Sequence, residues 1–95
     1  MQEKENDETV ITLPQGNDRV EQAVKERMRE CATAMVIDIG SLRIQYEFLL
    51  LVPLLNKGRV SVRQTYDSII ARKAPMNASE FSRAVEAVRR LVCVR

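Results

Sequence analysis

The sequence predicts a mostly α-helical domain with minor β structure, opened by a long amphipathic N-terminal helix. Three observations lead there. Apolar residues recur at spacings of three and four in several segments. Start signals built on Ser, Asn and Asp precede those segments, and extended patterning is confined to short stretches. A chain of 95 residues supports one modest core and not two. With no Trp, two Phe and two Tyr, that core must be made of Leu, Ile, Val, Met and Ala.

Residues 1–16 read as a flexible acidic arm, charged at first and then broken by Pro14-Gln15-Gly16. Within the arm, Val10-Ile11-Thr12-Leu13 either adds a short strand to the body or orders only on a partner. Residues 17–95 then form a single helical domain. Asn17 or Asp18 caps a helix to about residue 36, with Glu21 placed to complete a capping box from Asp18. Val20, Val24, Met28, Cys31 and Met35 form one apolar stripe along it. The stripe either packs into the core or serves as a homodimer seam, with residues 17–40 as the dimerisation helix.

Residues 35–48 carry two signals. Leu42, Ile44, Tyr46 and Phe48 alternate with polar residues, which is strand periodicity, and Asp38-Ile39-Gly40-Ser41 suits a hairpin turn. A helix from Ser41 fits almost as well. The favoured reading is extended chain to about Ile44, then a helix over 45–55, kinked or starting late because of Pro53. Asn56-Lys57-Gly58 ends it, and Arg59-Val60 is extended.

Ser61 and Gln64 make a capping box for a helix to about residue 72, with Val62, Tyr66, Ile69 and Ile70 on its buried face. Lys73-Ala74-Pro75 stops it. Asn77 caps the last helix, which buries Phe81, Ala84, Val85, Val88 and Leu91. Val92-Cys93-Val94 reads as a terminal strand.

Charge is divided unevenly. Residues 1–56 hold ten acidic and six basic side chains, whereas 57–95 hold three acidic and nine basic, so the net +2 conceals −4 and +6. A positive C-terminal half is the footprint of a nucleic-acid surface or of a solvated basic face. The order of elements over 45–95 (helix, extended link, helix, turn, helix, strand) is that of a winged helix-turn-helix, whose last helix enters the major groove. Ser79, Ser82, Arg83, Glu86 and Arg90 line the outward side of that helix and are the expected base contacts. Lys57, Arg59, Arg63, Arg72, Lys73 and Arg89 lie where loops and helix ends would meet phosphates.

Tyr46-Glu47-Phe48-Leu49-Leu50-Leu51, with Leu54-Leu55-Asn56-Lys57-Gly58-Arg59-Val60-Ser61-Val62-Arg63, resembles the DNA-binding output domain of OmpR/PhoB-type response regulators. The likeness covers residues 46–63 and, loosely, 79–94. It implies a winged-helix fold in which the helix at 79–91 enters the major groove. Pro53, a shorter link between the last two helices and a chain end at Arg95 depart from the family pattern, so wing contacts are not carried over.

The function expected is therefore a small, sequence-specific transcriptional regulator that binds double-stranded DNA, as a homodimer, with the arm available to a regulatory protein partner. The alternative is a helical interaction module without base contacts: an anti-activator, a chaperone or a phage-type inhibitor. An enzyme is not expected. Histidine is absent, which removes histidine bases and nearly all catalytic zinc chemistry. Glycines number three, so no phosphate loop is formed, and no cofactor or metal is expected. The longest apolar run, 48–55, is far short of a membrane span. Two widely spaced cysteines and no signal-peptide pattern suit a reduced cytoplasmic protein with both thiols buried. Asp38, Glu47 and Asp67 read as isolated acids, solvated or paired with arginines.

Overall fold

A computed structural model of the chain describes residues 9–37 and 41–93. It is mostly helical, with a small two-stranded antiparallel sheet. In chain order the elements are β1 (Val10–Thr12), α1 (Asp18–Ile37), α2 (Leu42–Lys57), β2 (Arg59–Ser61), α3 (Val62–Ala71) and α4 (Ala78–Val92).

The centre of the molecule is α2, which packs against α1 on one side and α4 on the other. Its leucine-rich sequence explains this, because a helix that is apolar nearly all round must be covered from several directions. Leu50, Leu51 and Leu54 are fully buried. Around them close Val24 and Cys31 from α1, Ile69 from α3, and Phe81, Ala84 and Val88 from α4.

Residues 42–44 belong to α2, not to an extended segment. Ser41 decides this: its hydroxyl accepts the Ile44 amide at 3.4 Å, satisfying a donor that a helix start leaves orphaned. With Leu42 and Ile44 helical, the hairpin's second strand does not form; Asp38, Ile39 and Gly40 lie outside the described residues. Nor does the helix start late. It runs through Pro53, which gives up one backbone bond within a helix anchored by buried leucines on both sides. Gly58, at a φ of 81°, closes α2 in the left-handed conformation and returns its amide to the Leu54 carbonyl at 3.0 Å.

Of the two readings of Val10-Ile11-Thr12-Leu13, the short strand added to the body is the one realised. Val10, Ile11 and Thr12 pair with Ser61, Val60 and Arg59, and Ile11 is buried in the core. Flanking bonds extend the pairing: the Leu13 amide donates to the Gly58 carbonyl at 2.8 Å, and the Val62 amide to the Thr9 carbonyl at 3.0 Å. The second bond satisfies a donor of the first turn of α3, so β1 also helps to start that helix. Residues 1–8, where all four of the arm's acids fall, lie outside the described residues.

Two further boundaries differ from the sequence reading. Ile70 is exposed: Ile69 is the buried residue of α3, and Val62 and Tyr66 pack against the core beside it. Val92 is helical, and Cys93 terminates α4 by donating its amide to the Arg90 carbonyl at 3.3 Å, so neither begins a strand. Val94 is outside the described residues. Among them, no helix is long and apolar enough to cross a membrane.

Candidate functional site

The outward face of α4 collects the expected base-contact residues. Asn77 starts the helix by accepting the Glu80 amide on Oδ1 at 3.1 Å. Phe81, Ala84 and Val88 then anchor one side in the core, and at about 100° per residue the opposite side is fixed by geometry. Ser79, Ser82, Arg83, Glu86 and Arg90 are all exposed on it. Arg83 lies 3.9 Å from Glu80, a loose exposed pair, while Arg89 and Arg90 meet no carboxylate among the described residues.

What holds this helix in place was not legible as a site. Tyr46, on α2 and 2% exposed, donates its hydroxyl to the Pro75 carbonyl at 2.9 Å and accepts the Asn77 amide at 3.0 Å. One side chain thus pins the turn between α3 and α4 to the central helix. Its ring meets Phe81 edge-on with centroids 5.5 Å apart, and Tyr66 of α3 meets Phe81 edge-on as well, at 5.4 Å. The three rings tie α2, α3 and α4 together.

The turn itself is a Schellman-type stop. The Lys73 amide donates to the Ile70 carbonyl and the Ala74 amide to the Ile69 carbonyl. Lys73 occupies the left-handed position at a φ of 60°, where glycine is the usual residue. A side chain there costs about 1–2 kcal/mol.

The six expected phosphate contacts do not share one surface. Arg63 lies in a groove between α3 and α4, of about 450 Å³, together with Tyr66, Ser82 and Glu86. Lys57, Arg59 and Arg72 lie instead in a groove of about 470 Å³ between α2, the sheet and α3. The two grooves use different flanks of α3: Val62, Arg63 and Tyr66 on one, Gln64, Ser68 and Arg72 on the other. The helical turn dictates this separation, since residues 64, 68 and 72 share a face that 62, 63 and 66 do not. Lys73 and Arg89 are exposed, the first in the turn and the second on α4.

The expected dimer seam is turned inward. Val20, Val24 and Cys31 are buried in the chain's own core, Met28 packs against it, and Met35 is half-buried. The alternative reading of the stripe, core packing, is the one realised. The most exposed apolar side chains of α1 are Val36 and Ile37, at its end.

Beside that stripe sits a buried carboxylate. Glu47 of α2 is fully buried, and Arg27 of α1 donates Nε to its Oε1 at 2.8 Å. Arg43 approaches Oε2 at 3.3 Å as an ion pair without hydrogen-bond geometry, so Oε2 is the buried side-chain oxygen left without a hydrogen bond among the described residues. Arg27 also meets Glu30 at 2.9 Å. The hydrogen bond to Glu47 is the main reason the Arg27 pKa is pushed further up, against the opposing effect of burial. The Cys31 thiol, 4.0 Å from Oε1, is pushed up chiefly by burial. Glu47 is paired with arginines as expected, but inside the protein; the spacing Arg27/Cys31 and Arg43/Glu47, four apart on two helices, was the available signal. Asp67 pairs with Arg63 at 3.3 Å on the surface, and Asp38 is outside the described residues. Both cysteines are free, and Cys93, contrary to expectation, is exposed.

Among the described residues, no three Cys, Asp or Glu side chains are placed to hold a metal ion. No family model matches the chain, and no curated protein or solved structure gives a match.

Proposed function

We propose that the protein is a small regulator that binds double-stranded DNA by placing α4 in the major groove. The observation that carries this reading is the exposed hydrogen-bonding face of α4, where Ser79, Ser82, Arg83, Glu86 and Arg90 line up opposite a fully packed back. Arginine pairs bidentately with a guanine edge, glutamate accepts from cytosine, and serine reaches either base or phosphate. Arg63, Lys73 and Arg89 are the cations that supply phosphate contacts beside that face. The order of α2, β2, α3 and α4, and the likeness of residues 46–63 to the OmpR/PhoB-type output domain, support a winged-helix-like docking in which α3 precedes the reading helix. Self-association, on this reading, uses surfaces other than the α1 stripe.

The test is binding to duplex DNA selected from a random pool, followed by fluorescence anisotropy at several salt concentrations. Arg83→Ala should weaken the selected site by roughly 1–3 kcal/mol and random duplex much less. Lys73→Ala should weaken both alike, because a phosphate contact carries no sequence information directly. Recovery of no enriched sequence, with unsaturable binding at low salt, would reject the reading.

A further inference from the structure

We infer that the groove between α2, β2 and α3 is a binding site for a small phosphate monoester with an apolar body, separate from the face of α4. Three elements each bring a cation to it: Lys57 from the end of α2, Arg59 from β2 and Arg72 from the residue that closes α3. None of the three meets a carboxylate among the described residues, although exposed cations elsewhere in the chain do so readily, as Lys25 does with Glu21 and Arg29 with Glu26. Unpaired cations that converge on one concavity leave a positive potential that a multiply charged anion neutralises.

The neutral groups in the groove add directionality. The Ser61 hydroxyl is occupied by the Gln64 amide, and the Thr65 hydroxyl by the Ser61 carbonyl. The side chains of Gln64 and Ser68 carry no hydrogen bond among the described residues and lie one helical turn apart, with Arg72 a turn further on. A row of amide, hydroxyl and guanidinium along one helix flank suits a group with several acceptor oxygens. The planar fork of arginine fits phosphate oxygens in pairs, which favours a phosphate monoester over a single carboxylate.

The rest of the lining is largely apolar. Leu49 and Pro53 of α2 contribute to it, with Val10, Val60 and Ile69. At about 470 Å³ the groove falls within the usual range for small-molecule sites, which are mostly apolar with a few placed polar groups. No residue of α4 lines it, so a ligand here leaves Ser82, Arg83 and Arg90 uncovered. The inference stands whether or not α4 reads DNA.

Phenyl phosphate, titrated into the DNA-free protein and followed by amide NMR, is the test. Saturable shifts should map to residues 57–61 and 64–72, and inorganic phosphate should bind more weakly because it leaves the Leu49–Pro53 wall uncovered. Arg59→Ser and Arg72→Ser, both at exposed positions, should each weaken binding roughly tenfold. Arg83→Ala and Arg90→Ala should leave it unchanged. Absence of saturation, equal affinity for inorganic phosphate, or shifts spread evenly over Arg83, Arg89 and Arg90 would each overturn the assignment. None of these outcomes bears on the duplex-binding measurement, which is made on a different face and with a different probe.

Discussion

Between residues 18 and 56, Lys25, Arg27, Arg29 and Arg43 each stand within 3.5 Å of a carboxylate. From residue 57 onward, Lys57, Arg59, Arg72, Lys73, Arg89 and Arg90 meet none among the described residues. In the first region Arg27 and Arg43 turn to the buried Glu47, Lys25 and Arg29 pair with exposed acids along α1, and Arg19 alone meets no carboxylate among the described residues. In the second, Arg63 and Arg83 have surface partners in Asp67 and Glu80, and the six just named are open to water. Charges committed to internal partners act on stability, and charges left open are available to a ligand. Removing one from each region should therefore be read by different instruments.

The largest effect is expected at the buried pair. Arg27→Met leaves the Glu47 carboxylate, fully buried, with the poorly aligned Arg43 and the weakly donating Cys31 thiol beside it. Breaking such a pair from one side costs about 3–5 kcal/mol, whereas replacing both partners with apolar side chains of similar size is often close to neutral. Urea unfolding of Arg27→Met and of Arg27→Met with Glu47→Met should show this contrast. Equal losses in the two variants would mean that packing of the arginine stem, not its charge, couples α1 to α2.

Next comes Tyr46→Phe, which keeps the ring against Phe81 and removes the hydroxyl that bridges Pro75 and Asn77. Leaving partly buried groups unsatisfied costs about 1–3 kcal/mol. Thermal unfolding should register that loss, and hydrogen exchange should rise at the amide of Asn77. A change in stability without faster exchange there would move the effect away from the α3–α4 turn.

Lys73 should respond with the opposite sign. Glycine relieves the left-handed strain of about 1–2 kcal/mol but adds flexibility to the unfolded chain, so Lys73→Gly should stabilise by roughly 0.5–1 kcal/mol. A stabilising change that also weakens DNA binding would show that the lysine serves the surface and not the fold.

Alkaline pH probes the buried thiol. Burial raises the pKa of Cys31 above its ordinary value of 9.0. The thiol's contribution to stability is then fully present below about pH 9 and is lost as pH rises through the folded value, since only the unfolded chain releases the proton early. Cys31→Ala should remove that alkaline decline. A thiol reagent at neutral pH should modify Cys93 quickly and Cys31 slowly, because only Cys93 is exposed.

Helix starts and the α4 face were legible in the sequence because they rest on local rules. Ser61 and Asn77 act through amides three residues away, and the 3.6-residue period of α4 fixes its outward side without reference to anything else. Longer-range facts were not legible. Residues 42–46 satisfy a strand pattern and a helix pattern alike; the Ser41 cap starts the helix locally, and the burial of Leu50, Leu51 and Leu54 from several directions, which no local signal carries, holds it. Ile11 enters the core only because Val60, 49 residues later in the chain, lies opposite it. The α1 stripe has the same spacing whether it faces a second copy or α2. The phosphate contacts were grouped by charge and by their place at loops and helix ends, and the twist of α3 sent Arg63 and Arg72 to different grooves.

The smallest effect on stability, and the one that most sharpens the comparison, is expected at Arg89 and Arg90. Both are exposed, and neither has a carboxylate partner among the described residues. Their position in the last turn of α4 favours a positive charge by only a few tenths of a kcal/mol. Arg89→Ala and Arg90→Ala should therefore each stay within about 0.5 kcal/mol of the parent in urea unfolding. On DNA the two should part. Arg89→Ala should weaken selected and random duplex alike and lower the slope of log affinity against log salt by about 0.9, as one phosphate contact is lost. Arg90→Ala, about one turn beyond Glu86 on the reading face, should act mainly on the selected site. Identical profiles for the two variants would turn the outward face of α4 into a general electrostatic patch, and the contrast between the paired and unpaired regions would then concern solubility and not recognition.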